Sequence, residues 1–335
     1  MRSRTTILFI LLGTLTLLLF VADILFGSVN LPLSDVWGVI TGTTTDAVTR
    51  SIIIDIRTAK AITALLAGVA LSLSGLQMQT IFRNPLAGPY VLGVSSGASF
   101  GVALFLLGMP LLGIQSSPIL SAIGSAGAAW IGAAAVLALI IALSSRIKDI
   151  MVILILGMML SSALGALVEI LQYFSHEQAL KSYVVWTMGS LGDITLTQLS
   201  FIAPIIIIGT ALAVTTIKPL NLLLLGESYA ITSGTNIRSV RSRVFISTTL
   251  LAGTITAFCG PIGFVGIAVP HLARMVFATS DHRVLIPASA LIGAVMMLVG
   301  DIVSKLTLLP INTITALIGI PVVVYIVTRN RNLMQ

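Results

Sequence analysis

Side chains that could carry out catalysis or bind a metal are few in this sequence. The chain has one cysteine, Cys259, and three histidines, and their separations do not match the usual spacing of zinc ligands. Two pairs come closest to a catalytic cluster, His271 with Arg274 and Asp281 with His282. Because catalysis needs several converging partners, we interpret both pairs as interfacial residues. The sequence predicts no catalytic residue, no metal site and no cofactor.

Motifs for nucleotide binding and for ion coupling are also missing. None of the five lysines follows a glycine, so the chain lacks the G-x-x-x-x-G-K-[ST] loop that cradles phosphates. A proton-coupled carrier usually keeps an ionisable residue near the membrane midplane. Asp23, Glu169 and Asp301 instead lie near the ends of apolar segments and are interpreted as boundary residues. These observations argue against a secondary transporter and against a membrane enzyme, and the energy for transport is expected from a separate subunit.

The elements that must position these residues are long apolar helices. Of the 335 residues, 57% are hydrophobic and 9% are charged, and the mean hydropathy is +1.10. Apolar blocks of about 20 residues can cross a bilayer as helices, and these blocks lack the alternation of barrel strands. We predict an all-α, polytopic membrane protein with about ten transmembrane helices, the first retained rather than cleaved. The predicted spans are Thr5–Phe26, Ala61–Phe82, Pro89–Leu107, Ile119–Leu143, Ile150–Leu171, Leu199–Ile217, Val244–Phe258, Ile262–Phe277, Val284–Val303 and Ile311–Val327.

The distribution of charge predicts the orientation. With the N-terminus in the cytoplasm, 13 of the 18 lysines and arginines fall in cytoplasmic segments, as the positive-inside rule requires. An even number of helices returns the C-terminus, with Arg329 and Arg331, to the same side. The net charge of +7 is therefore explained by topology, and no nucleic-acid partner is predicted.

Three connecting segments have a distinctive composition. The outer segment Gly27–Ile56 is long and polar. The outer segment Gln172–Gln198 contains the apolar piece Val184–Leu191, which is interpreted as a small interfacial helix. The segment Lys218–Arg243 is the longest predicted cytoplasmic loop.

Small residues mark one face of the fourth predicted span. Gly124, Ala128 and Gly132 repeat at four-residue spacing, which lets helix backbones approach closely. Packing within the chain is favoured over a dimer face or a pore lining.

Several motifs resemble a known family. The run from Ile56 to Gly101 resembles the permease signature of the FecCD family, most densely in RNPLAGPYVLGVSSGA. Similar segments follow: they are WTMGSL at Trp186–Leu191, LGE at Leu225–Glu227, GPIGFVGIAVPHLAR at Gly260–Arg274 and TALIGIPVVVY at Thr315–Tyr325. The chain departs from the family pattern at Lys60, Ser228 and Asn312. Lys60 replaces a usual arginine and weakens bidentate pairing with a carboxylate.

The resemblance implies an architecture, a function and a set of partners. It implies one permease domain over residues 1–335 with the fold of cobalamin-importer permeases and a cytoplasmic coupling loop at 218–243. Members of the family are membrane subunits of ABC importers, and a ferric siderophore is the first expectation for the cargo, followed by haem and cobalamin. The implied partners are two cytoplasmic ATPase subunits, an extracytoplasmic substrate-binding protein, and a second permease copy, as a homodimer or a pairing with a similar permease. The implied location is the lipid bilayer of the bacterial inner membrane.

The resemblance also suggests two sites at opposite ends of the spans. Arg57, Lys60 and Lys305 are predicted to form a basic rim that meets acidic residues of the binding protein, with lipid-headgroup anchors as the alternative. Ser144 and Ser145, just before Arg146 and Lys148, match the inner gate by position, and a plain polar helix end is the alternative.

The loop 218–243 is predicted to contact the ATPase. Gly226 and Gly234 would bound a short helix, and a second helix would run from Asn236 toward Arg241. The alternative is a loop held to anionic lipid by Arg238, Arg241 and Arg243. The residues predicted to couple the chain to the ATPase are Leu225, Gly226, Glu227, Ala230, Gly234 and Arg238.

Overall fold

The computed structural model describes residues 2–27, 31–43, 46–111, 113, 118–147 and 149–329. Regular structure within these residues is helical throughout, without a strand. The basic residues Lys148 and Arg331, which entered the charge argument, lie outside the described residues.

The helices of the described residues are numbered here in chain order. They are α1 (Arg2–Leu25), α2 (Leu33–Thr41), α3 (Ala47–Ile81), α4 (Val94–Leu111), α5 (Pro118–Arg146), α6 (Ile150–Phe174), α7 (Glu177–Thr187), α8 (Leu196–Thr215), α9 (Ile217–Leu224), α10 (Glu227–Thr232), α11 (Ile237–Cys259), α12 (Val265–Phe277), α13 (His282–Thr307) and α14 (Ile311–Arg329).

Eight of these helices are long and apolar enough to cross a membrane by length and composition, namely α1, α3, α4, α5, α6, α8, α11 and α13. Two shorter apolar helices, α12 and α14, complete a set of ten apolar segments among the described residues. The prediction of an all-α polytopic chain with about ten transmembrane helices is therefore confirmed.

Helix α3 is the centre of the bundle. It is mostly buried, and it packs against α12 and α13 on one side and against α8 and α11 on another. Helices α1 and α6 are mostly exposed. Gly75 allows one of the closest contacts, because a Cβ at this position would overlap the carbonyl oxygen of Gly266 on α12. The core therefore depends on backbone approach as well as on side-chain burial.

The small-residue motif of α5 packs within the chain. A Cβ built on Gly132 would overlap the carbonyl oxygen of Gly97 on α4, and a Cβ built on Gly101 would overlap the carbonyl oxygen of Ala128 to the same extent. The prediction of intramolecular packing at this motif is confirmed.

Helix boundaries differ from the prediction where charged residues lie inside helices. Helix α3 begins at Ala47 rather than Ala61, because Asp46 caps its N-terminus by accepting hydrogen bonds from the backbone of Val48 and Thr49. Much of the segment predicted as a polar outer loop is therefore helical, with π-helical geometry over Ile52–Thr58.

The other boundary differences have local causes. Helix α11 begins at Ile237 because the Asn236 side chain caps it. It then continues into the bundle as one helix, whereas the sequence had predicted a separate short helix here. The outer helix α7 lies earlier in the chain than the predicted piece Val184–Leu191 and ends before Gly189, whose φ is +73°.

Candidate functional site

Four charged side chains form a buried cluster at the predicted outer end of the bundle. Lys305 Nζ on α13 lies 2.9 Å from Oδ1 of Asp23 on α1 and 2.9 Å from Oδ2 of Asp301. Lys60 Nζ on α3 lies 3.1 Å from Oδ1 of Asp301. Asp23 and Asp301 are 0% and 1% exposed. We call these four residues the outer ion cluster, in which two ammonium groups and two carboxylates offset one another.

The same region holds the C-terminal end of α1. Lys305 Nζ donates to the carbonyl of Asp23 at 2.8 Å. Arg57 Nη1 donates to the carbonyls of Ile24 at 3.0 Å and Leu25 at 2.8 Å. The last carbonyls of a helix have no partner within the helix, and positive charge is favourable at that end. Two of the predicted docking residues, Arg57 and Lys305, therefore stabilise the end of α1.

The structure brings Arg57, Lys60 and Lys305 into one region, but it places them inside the bundle. Arg57 is 4% exposed, and the side chains of Lys60 and Lys305 are 19% and 6% exposed. Asp23 and Asp301 are also buried partners of these lysines, and their interpretation as boundary residues stays a prediction. Contact between the three cations and a binding protein stays a prediction.

The predicted coupling residues lie on and around the short helix α10. Gly226 precedes it with φ +121° and ψ +150°, and Gly234 follows it with φ +82°. Glycine adopts positive φ more readily than any other residue, so the predicted boundaries of this helix are confirmed. Ala230, within α10, is fully buried, whereas Leu225 is 67% exposed. Tyr229 and Ile231, which the sequence did not single out, are also exposed.

A salt bridge joins α10 to the start of α11. Arg241 Nη2 lies 3.1 Å from Oε1 of Glu227, with the arginine side chain 6% exposed and the carboxylate side chain 40% exposed. Glu227 lies in the first turn of α10, where a negative charge suits the helix dipole. Arg238 is exposed. Helices α10 and α11 are therefore fixed to each other by charge as well as by chain connection.

The predicted gate residues lie in the last turn of α5. Ser144 is half-buried, and α5 ends two residues later at Arg146. Ser145 occupies the next helical position. A gating role for these two serines stays a prediction.

A polar network that the sequence did not predict lies at the predicted cytoplasmic end. His282 Nδ1 lies 2.7 Å from Oδ1 of Asn221 on α9, and its Nε2 lies 2.9 Å from Oγ1 of Thr80 on α3. Asn221 Nδ2 donates to Oδ1 of Asp281 at 2.6 Å. A hydrogen bond from the backbone of Arg283 to Asp281 lowers the pKa of this carboxyl below its usual value. The network ties α9 to α3 and α13.

The residues considered for catalysis serve packing roles in this region. Arg274 Nη1 donates to Oε1 of Gln79 at 2.7 Å, and His271 Nε2 lies 2.8 Å from the carbonyl oxygen of Pro85. His271 and His282 are 7% and 1% exposed. Their interpretation as interfacial residues at the predicted cytoplasmic end stays a prediction. Within the described residues, no three histidine, cysteine, aspartate or glutamate side chains come together as metal ligands. The sequence feature that could have indicated these buried contacts is the run of polar residues through Gln79 in an otherwise apolar helix.

Comparison with known proteins places these features in a family. Residues 15–329 match the FecCD transport family. The hemin transport system permease protein of Yersinia pestis is 34% identical over 328 residues, which are 96% of each chain. The vitamin B12 import system permease protein of Vibrio cholerae is 32% identical over 290 residues, 84% of each chain.

A solved structure has the same fold. It is described as an inward-facing conformation of a candidate metal-chelate type ABC transporter, and it superposes with a TM-score of 0.83 at 31% identity, covering 96% of this chain and 99% of the other. The family match spans most of the helices described above, including those that carry the outer ion cluster and helices α10 and α11. The chain therefore belongs to the FecCD transport family and is a multi-pass transport permease rather than an enzyme.

Proposed function

We propose that this chain is the transmembrane permease subunit of a binding-protein-dependent ABC importer. It moves a metal chelate into the cytoplasm, and a partner subunit hydrolyses the ATP. The observation that carries the proposal is the similarity, over nearly the whole chain, to a structure described as a candidate metal-chelate type ABC transporter. The motifs recognised in the sequence support the same assignment.

The proposed cargo is a metal ion already held by an organic chelator. A ferric siderophore is proposed first, followed by haem and cobalamin. Hemin and vitamin B12, which appear in the names of the two relatives, are both metal chelates. Because the chelator satisfies the metal, the path needs no metal ligands of its own.

Contact with the ATPase is proposed to run through α9, α10 and the start of α11. Leu225, Tyr229 and Ile231 are exposed apolar side chains outside the spanning helices, and such a patch is typical of a protein interface. The alternative, attachment to anionic lipid, is weakened because one of the three arginines it requires, Arg241, is buried against Glu227. The hydrogen bonds between Asn221 and the start of α13 provide a route from this surface into the bundle.

Docking of the substrate-binding protein is proposed at the predicted outer end, at Arg57, Lys60 and Lys305. Lys60 has the most exposed side chain of the two lysines in the outer ion cluster. A carboxylate of the binding protein would pair with Lys60 either beside Asp301 or in place of Asp301. Reversing the charge of Lys60 should weaken association and reduce its salt dependence. Unchanged association in folded protein would remove this docking site.

A second permease copy is proposed to complete the transport path, either identical or similar. Helix α6 is strongly apolar yet mostly exposed within one chain, which is consistent with a partner helix or lipid against it. The gate would form where Ser144 and Ser145 of two copies approach each other. The proposed location is the bacterial inner membrane with both termini in the cytoplasm, in agreement with the excess of basic residues in the predicted inner segments.

The proposal is tested by uptake and by copurification. In a strain that lacks this chain, uptake of labelled haemin, cyanocobalamin and ferric siderophores should be lost for the true cargo and restored by the chain. The chain should also copurify with an ATPase encoded in the same cell. Restored uptake that persists when ATP is depleted, or purification without an ATPase under mild detergent, would contradict the proposal.

A further inference from the structure

A polar crevice opens among the apolar helices α4, α6 and α7. Its volume is about 340 Å³, and the residues that line it are Ser95, Ser96, Ser99, Gly165, Val168, Glu169, Gln172 and Tyr183. Glu169 is exposed, although it lies in a helix with a mean hydropathy of 2.4 over its most apolar stretch. A carboxylate in such a helix normally faces a water-filled cavity or the interior of the bundle.

The crevice reaches well below the predicted outer end of α6. Gly165 lies nine residues before the last residue of that helix, Phe174, which corresponds to a depth of about 14 Å at 1.5 Å per residue. Ser95 and Ser96 line the same cavity and are half-buried. If Glu169 were only a boundary residue at the level of the lipid headgroups, the polar side chains at this depth would stay unexplained.

Three helices meet at the wall of the crevice. Tyr183 on α7 is 5% exposed, and its side chain lies beside those of Ser99 on α4 and Gln172 on α6. Ser95 and Ser96 make no hydrogen bond with another described side chain or carbonyl. By contrast, Ser161 on α6 donates to its own helix at the carbonyl of Gly157. The hydroxyls of Ser95 and Ser96 are therefore free to bind a ligand.

The charge of the crevice is one-sided. Its lining offers the Glu169 carboxylate, the Gln172 amide and serine hydroxyls, and includes no lysine or arginine. The nearby charges on α7 are Glu177 and Lys181, which are both exposed and have opposite signs. The hydroxyls and the amide can donate or accept hydrogen bonds, whereas the carboxylate only accepts them and disfavours an anion.

We propose that this crevice is a binding subsite for the transported chelate. It takes a neutral or cationic face that donates hydrogen bonds, such as amide or hydroxyl groups on the chelator, and it discriminates against anionic faces. This inference rests on the proposed function and adds to it the contact residues and the charge class of the ligand.

The first test is accessibility and protection of an introduced cysteine. Cys259 is buried and is replaced by alanine to give a cysteine-free chain, into which Ser96→Cys is introduced. The thiol should react with a membrane-impermeant methanethiosulfonate, and cyanocobalamin or a neutral ferric trihydroxamate should slow the reaction. Ile207→Cys on the apolar face of α8, where the native side chain is 64% exposed, is the control and should react slowly and without protection.

The second test is selectivity between ligands of different charge. Glu169→Gln removes the negative charge while keeping a similar shape. Uptake of haemin, which carries two carboxylates, should rise relative to uptake of cyanocobalamin by about two- to fivefold, the range for one solvent-accessible charge interaction. Glu177→Gln, an exposed carboxylate outside the lining, should leave that ratio unchanged.

The outcomes separate this inference from the proposed function. If the chain imports a probe with ATP, but Ser96→Cys is unreactive or no imported probe protects it, the subsite is wrong. An unchanged haemin to cyanocobalamin ratio in Glu169→Gln would overturn the charge preference. If a probe protects Ser96→Cys while ATP-driven uptake is absent, the subsite stands and the importer function fails.

Discussion

Replacing Lys305 with methionine tests whether the outer ion cluster holds the fold together. Lys305 contacts the side chains of both Asp23 and Asp301 at 2.9 Å and also binds the end of α1. Removing one partner of a buried ion pair costs about 3–5 kcal/mol, because the remaining charge stays buried. In Lys305→Met, Asp301 keeps Lys60 at 3.1 Å, but Asp23 loses its cation. We expect destabilisation at the upper part of this range.

A second substitution should reverse part of the loss. Asp23→Asn in the Lys305→Met background removes the unpaired charge, so about half of the lost free energy should return. Lys181→Met, at an exposed position on α7, is the control and should change stability by less than about 0.5 kcal/mol. The assay is reversible unfolding in mixed micelles followed by tryptophan fluorescence. A Lys305→Met variant as stable as the parent, or a double variant less stable than the single one, would refute the reasoning.

Three further predictions concern the coupling helices, the gate and the core. Gly234→Val should lower both ATP-driven uptake and ATPase copurification, because φ +82° at this position costs a β-branched residue about 1–2 kcal/mol. Gly234→Asn should retain both uptake and copurification. Glu227→Lys should lower both in the same way as Gly234→Val, while membrane insertion stays normal. Cysteine at position 144 should crosslink two copies in the resting state and release on ATP binding, and no crosslink in any nucleotide state would exclude a gate there. Gly75→Ala should greatly reduce the amount of folded protein, because the new Cβ would overlap a backbone carbonyl of α12. The control, Gly13→Ala on α1, has open space around it and should not reduce the amount of folded protein. Both are measured by size-exclusion profile.

Most of the fold could be predicted from apolar length and motif resemblance. Ten apolar blocks were located, and ten apolar helical segments occur among the described residues. The start of α3 was missed because Asp55, Arg57 and Lys60 make the sequence look like a polar loop. These residues are helical because Asp46 caps the helix and because the Arg57 guanidinium finds carbonyl partners at the end of α1.

The candidate site was predictable only where its determinants are local. The helix between Gly226 and Gly234 could be predicted because its boundaries depend on backbone conformations that favour glycine. The contact of Lys305 with Asp23 could not be predicted, since Asp23 lies 282 residues away in the sequence. The crevice at Glu169 was missed for the same reason, because Ser99, Gln172 and Tyr183 belong to three different helices.

The most direct test of the importer function is uptake by the purified chain in proteoliposomes. The chain is reconstituted with its copurifying ATPase, and a binding protein loaded with labelled chelate is placed on the side opposite the nucleotide. Accumulation should require ATP and the binding protein, should not respond to an imposed proton gradient, and should be lost in Glu227→Lys although the binding protein still associates. Accumulation driven by a proton gradient without ATP would contradict the proposed function.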